Sequence, residues 1–96
     1  MIERADGMNK YEQYIQGKNW DAKFRYMLLD RMRSDCDYLL GYGRGCANHL
    51  WAGNVTDQIG YMKALWNSFS ADAKPEWLTM EQIINYEQQM KDIGGS

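Results

Sequence analysis

Cys36, Cys46 and His49 are the residues of this sequence whose types best suit chemistry. Cys46-x-x-His49 is compatible with zinc ligation from one loop, and Cys36 lies about one loop-length upstream. A structural zinc site takes four ligands from paired short spacings. The chain holds two Cys and one His, so Asp35 or Asp37 would have to complete the set. The simpler reading makes Cys36 a small core residue, Cys46 a loop thiol and His49 a hydrogen-bonded support for its loop. Nucleophilic catalysis would need a base beside Cys36 or Cys46, and His49 is the single histidine. Asp35 and Asp37 point roughly 200° apart on a helix, so they cannot serve one substrate as acid and base. No catalytic residue, metal or cofactor is expected, and the chain reads as a non-enzyme.

Arg31 and Asp35, four residues apart, break an otherwise apolar helix face. A partly buried carboxylate needs a cation or several donors. Arg31, or the amides and His49 of the following loop, could satisfy Asp35 and pin that loop to the helix. A direct binding or acid–base role for Asp35 is the alternative. Tyr42, Trp51, Trp66 and Trp77 could stack nucleic-acid bases beside Arg25, Arg31, Arg33 and Arg44. Core packing accounts better for Trp66, and for Trp51 and Trp77. Arg33, Asp37, Tyr38, Tyr42 and Arg44 are then expected as protein-interface residues, with Arg31, Asp35, His49 and Trp51 as structural support.

The elements that must position these residues are helical. Counting from Phe24 at roughly 100° per residue, Trp20, Met27, Leu28, Met32, Cys36, Tyr38 and Leu39 share one broad arc, with Leu29 and Leu40 at its margin. The spacing predicts a long helix over about 20–40, capped by Asn19, favoured by Asp21 and ended at Gly41. A short helix over 9–16, ended by Gly17, presents Tyr11, Tyr14 and Ile15. Gly41-Tyr42-Gly43-Arg44-Gly45 resembles a phosphate loop only superficially, since no strand precedes it and no Walker lysine follows. A tight reversal that returns Leu50 and Trp51 to the core is the better reading. Asn54 caps a third helix, with Asp57 in the capping-box position and Val55, Ile59, Met62, Leu65, Trp66 and Phe69 as its apolar stripe. Thr79 and Gln82 form a capping box and Leu78 and Ile83 a hydrophobic staple. A last helix over about 80–92 follows, with Ile83, Tyr86, Met90 and Ile93 along one side. The fold class is all-α: a compact bundle of three main helices plus a short N-terminal one, with a glycine-rich loop after the long helix. Residues 1–96 form one domain, with 1–8 and 94–96 as flexible ends.

Composition agrees with a globular chain, 45% hydrophobic and 25% charged. At this length folding buries roughly two-thirds of the unfolded chain's surface, enough for one core. The net charge of −2 is uneven: residues 18–44 carry six Lys/Arg against four acids, and 72–96 five acids against two Lys. That acidic end argues against nonspecific nucleic-acid binding through its half of the chain. The basic helix would permit modest phosphate contact, although its cations alternate with Asp as on a solvated face. No apolar run reaches membrane-spanning length and no signal-peptide core is present, so a cytoplasmic protein with reduced Cys is expected. Asn54-Val55-Thr56 matches a glycosylation acceptor, but a helix cap explains Asn54 better.

The run Asp30-Arg31-Met32-Arg33-Ser34-Asp35-Cys36-Asp37-Tyr38, Gly41 and Gly43, and His49-Leu50-Trp51-Ala52-Gly53-Asn54 together resemble a recurrent small domain. So do Gln58-Ile59, Met62, Leu65-Trp66-Asn67-Ser68 and Lys74-Pro75-Glu76-Trp77-Leu78-Thr79. The chain resembles the eleventh of the large polyvalent-protein-associated domains over about residues 21–91; Cys46 and the glycine spacing around Arg44 depart from the pattern. The resemblance implies an accessory of phages or conjugative elements with no assigned reaction. It implies a protein-binding module whose partner is a host protein, such as a nuclease effector of a bacterial defence system, which would make it anti-CRISPR-like. The alternative is a nucleic-acid-binding accessory acting in element transfer or regulation.

Overall fold

Asn9 starts the first helix by a reciprocal exchange: its side chain accepts from the Glu12 amide at 2.9 Å, and the Glu12 carboxylate accepts from the Asn9 amide at 3.1 Å. Two backbone donors that the helix cannot satisfy are thereby paired. The computed structural model describes residues 9–41 and 50–92. Among them lie four helices: α1 Lys10–Lys18, α2 Ala22–Gly41, α3 Val55–Asn67 and α4 Met80–Asp92. They form the all-α bundle of three main helices and a short first one. The glycine-rich stretch with Tyr42, Arg44, Cys46 and His49, the ends 1–8 and 94–96, and Ile93 lie outside the described residues.

The junction of α1 and α2 differs from the expected one. Gly17 is helical, and the turn instead falls at Asn19, which is left-handed (φ 55°) and donates its backbone N–H to Gln16 O. A short polar side chain tolerates that conformation where most residues do not. Asn19 thus closes α1 rather than opening α2. Asp21 opens α2, its Oδ1 accepting from the Phe24 amide at 2.8 Å.

The buried face of α2 is also displaced. Leu28, Leu29, Met32, Cys36 and Leu39 are in the core, whereas Phe24, Met27 and Tyr38 are 43%, 60% and 51% exposed. The contact face is turned from the expected arc by roughly a fifth of a revolution. Apolar residues cover more of α2 than its neighbours can bury, and only packing selects among overlapping arcs.

The hub of the bundle is α3, which packs against α1, α2 and α4, while α2 also meets α4. Asn54 caps α3 through its side chain on the Asp57 amide (2.8 Å), and Val55, Ile59, Met62 and Leu65 are within 1% of full burial. Gly60 lies where the Tyr11 ring of α1 presses on α3; a Cβ there would collide with that ring. At the far end Lys74 Nζ donates to the carbonyls of Phe69 (2.5 Å) and Trp66 (3.3 Å). The Trp66 indole N–H donates to Leu78 O at 2.9 Å. These bonds close the 70–79 connection over the core. Thr79 and Gln82 exchange the two capping-box bonds (2.9 and 3.1 Å), and Leu78 and Ile83 are buried on either side of them. No helix among the described residues is long and apolar enough to cross a membrane.

Candidate functional site

Two polar clusters flank α2. The first fastens Leu50–Gly53 to the bundle. Asp35 Oδ2 accepts from the Trp51 amide at 3.0 Å, while Oδ1 faces Arg31 Nε at 3.4 Å. Beside it Gln58, fully buried on α3, accepts from the Ala52 amide at 3.0 Å and donates to Met32 O at 3.1 Å. Gly53 takes a positive φ of 86° and donates its backbone N–H to Leu50 O, which turns the chain into the Asn54 cap. The Trp51 ring rests edge-on against Tyr61.

This cluster corrects the placement of Arg31, whose side chain is 63% exposed rather than set among apolar groups. The guanidinium reaches back along the surface to Asp35, as long cationic side chains do when their stems can stay near the helix and their heads in water. Gln58 is the member that periodicity did not single out. The signal was there: a polar residue three positions after Val55 falls on the apolar stripe, and a buried amide must find partners.

Cys36 is wholly buried, its Sγ 3.6 Å from Met62 Sδ. Burial, reinforced by the charges of Asp35 and Asp37, pushes its thiol up to about 12. It is therefore protonated near neutrality and has the character of a packing residue. Asp35 turns toward the 50–53 turn and Asp37 toward α4, so the two carboxylates serve different neighbours. Among the described residues no three His, Cys, Asp or Glu side chains are grouped to hold a metal ion.

The second cluster lies between α2 and α4. Arg33 Nη2 donates to Asp30 Oδ1 at 2.6 Å, and its Nη1 is 3.7 Å from Asp37 Oδ2. The guanidinium stands 5.2 Å from the centre of the Trp77 ring. Tyr86 donates its hydroxyl hydrogen to Asp37 Oδ1 at 2.7 Å. The Asp30 hydrogen bond raises the Arg33 pKa further, so its charge is permanent. Burial first, then the bond to Asp37, pushes the Tyr86 phenol up to about 12. These groups border a groove of about 340 Å³ whose other wall carries Gln82, Asn85 and Gln89 of α4. Among the described residues Arg33 Nε, buried there, has no hydrogen-bond partner.

Of the expected interface residues, the structure brings Arg33 and Asp37 together. Tyr38 is half exposed but does not line this groove, standing about 100° around the helix from Asp37. Tyr42 and Arg44 lie outside the described residues. Trp77, Tyr86, Asn85 and Gln89 enter the site without having been singled out for it. Gln82, Tyr86 and Gln89, spaced by four and three, form a visible helical row, but their facing partner on α2 is set only by packing.

The arrangement gathers charged and aromatic side chains of α2, α4 and the 70–79 connection at one groove. The family model described as Large polyvalent protein-associated domain 11 matches residues 22–90. That stretch begins at the first residue of α2 and ends within α4, so α1 precedes it. No curated protein and no solved structure matches the chain.

Proposed function

Because the chain belongs to the family of large polyvalent protein-associated domain 11, we propose that it serves a phage or mobile genetic element as a non-enzymatic, protein-binding accessory in the host cytoplasm. The α2–α4 groove is its contact surface. The observation that carries this reading is the fixed Arg33, held by Asp30, Asp37 and the Trp77 ring at the edge of an open groove. Arginine, tyrosine and tryptophan dominate the energetics of protein interfaces. An arginine immobilised before binding loses little conformational entropy when a partner arrives. The partner is a host protein, and the mobile-element setting narrows it to an effector of bacterial defence, such as a nuclease that the domain inhibits. Arg33 is already neutralised by two carboxylates, which weakens phosphate contact at this surface.

The test is capture from a host lysate by the tagged protein, with and without nuclease. Asn85→Ala/Gln89→Ala removes groove-lining groups that are exposed and outside the core. One retained protein, insensitive to nuclease and weakened at least about tenfold by the double variant at unchanged Tm, is the expected result. Capture that vanishes with nuclease, or that the double variant leaves intact, overturns the assignment. Arg33→Glu is a poor probe, because it would set a third carboxylate beside Asp30 and Asp37 and unfold the site itself.

A further inference from the structure

A second concavity, of about 530 Å³, opens between α1, the first turn of α2 and the last turn of α3. Its size falls in the range of about 300–1,000 Å³ typical of ligand sites. Ile15 and Ala64 are buried apolar residues at its base, and Trp20 is a half-buried wall. Gln16, Asn19 and Asn67 bring three side-chain amides to it. Since α1 precedes residues 22–90, this hollow depends on a helix outside the matched family region.

Arg25 lines it, and its environment differs from that of Arg31 and Arg33. Each of those pairs with an aspartate, whereas among the described residues Arg25 forms no ion pair. Arg25 Nη1 donates to Ser68 Oγ at 2.6 Å and to Ser68 O at 3.2 Å, and its guanidinium lies 4.9 Å from the centre of the Phe69 ring. Its Nε is buried and has no acceptor among the described residues. With Nη1 anchored on Ser68 and Nε buried, Nη2 is the nitrogen of the fork left to meet a ligand, and its positive charge favours a carboxylate oxygen there.

Glu12 also lines the hollow, its Oε1 accepting from the Asn9 amide. A fixed carboxylate there disfavours a dianion such as phosphate and accepts from N–H groups. The ligand that suits both residues carries one carboxylate, neighbouring amide donors and an apolar body. We infer that this hollow binds the C-terminus of a peptide chain: its carboxylate on Arg25, its last apolar side chain against Trp20, Ile15 and Ala64, and its preceding peptide groups on the side-chain amides. Capture of a terminal carboxylate is an established mode of peptide recognition.

The test uses the full chain, isotopically labelled, with NMR shifts followed at the Arg25 Nε–H and the Trp20 indole N–H. The probes are N-acetyl-Ala-Ala-Phe, its C-terminal amide, N-acetyl-Phe and inorganic phosphate. The free-acid tripeptide should shift both signals saturably and bind at least about tenfold more tightly than the amide. Arg25→Gln should erase that preference, while Trp20→Ala weakens acid and amide alike. A chain end is overturned if acid and amide bind equally, if no probe shifts either signal, or if phosphate matches the acid. It is equally overturned if N-acetyl-Phe binds as tightly as the tripeptide, which would point to a small organic acid.

Discussion

Tyr11 donates its hydroxyl hydrogen to Asp57 Oδ1 across 2.6 Å, joining α1 to the first turn of α3 over 46 positions of sequence. The other carboxylate oxygen accepts from the Asn54 side-chain amide at 3.0 Å. Asp57 therefore leaves its expected capping-box role: it serves the Asn54 side chain and α1 while sitting at the positive end of the α3 dipole.

This pair gives stability a pH dependence of definite sign. The Tyr11 bond, then the Asn54 bond, hold the Asp57 carboxyl below its ordinary range. Its contribution is present above the unfolded pKa and is lost as pH falls through the lowered folded value. The bond to Asp57, aided by desolvation, pushes the Tyr11 phenol up to about 12. That contribution is present below the ordinary phenol pKa and fades as pH climbs toward about 12. Tyr11→Phe should cost about 1 kcal/mol at neutral pH, a modest figure because solvent screens the pair. In urea unfolding the gap between the proteins should close in strong acid; a gap that persists there refutes the linkage.

Gly60→Ala should reverse the usual helix trend. Alanine in a helix interior ordinarily gains about 0.5–1 kcal/mol over glycine. Here the added Cβ meets the Tyr11 ring, and overpacking should give a net loss of about 1–3 kcal/mol. In a Tyr11→Ala background the same change should become stabilising. Thermal melts of the four proteins decide the matter, and additive effects would place the ring elsewhere.

Asp35 and Gln58 should separate charge from hydrogen-bond acceptance. Asp35→Asn keeps an acceptor for the Trp51 amide and loses an exposed ion pair, so it should cost under about 1 kcal/mol. Asp35→Ala leaves that amide unpaired, and Gln58→Leu does the same to Ala52, for about 1–3 kcal/mol each. Amide hydrogen exchange at Trp51 and Ala52 should accelerate in the last two variants only. Equal effects of Asn and Ala at position 35 would mean that the charge is what matters.

Thr79→Ala and Gln82→Ala should each cost about 1 kcal/mol, and the pair less than their sum, because the two bonds order one turn. Chemical denaturation of the single and double variants measures the coupling. Full additivity would show that the two bonds act independently.

Elements whose signals are local were legible in the residues alone. The Asn54 cap, the Val55–Phe69 stripe and the Thr79–Gln82 box set the limits of α3 and α4, because each partner lies within a turn or two along the chain. Family membership was legible for the same reason, since it rests on residue identities at short spacings. Arg33 and Asp37 could be proposed together because they share a helix. What the tertiary structure alone decided is which face of α2 is buried, that Arg31 stays in water, and that Asn19 ends one helix instead of starting the next. It also decided that Tyr86 meets Asp37 across 49 positions and that Arg25 borders a hollow completed by α1. Helical periodicity specifies an angle around one axis, whereas these outcomes depend on how several axes are placed against one another. That placement is selected by the burial and hydrogen bonding of the whole bundle at once.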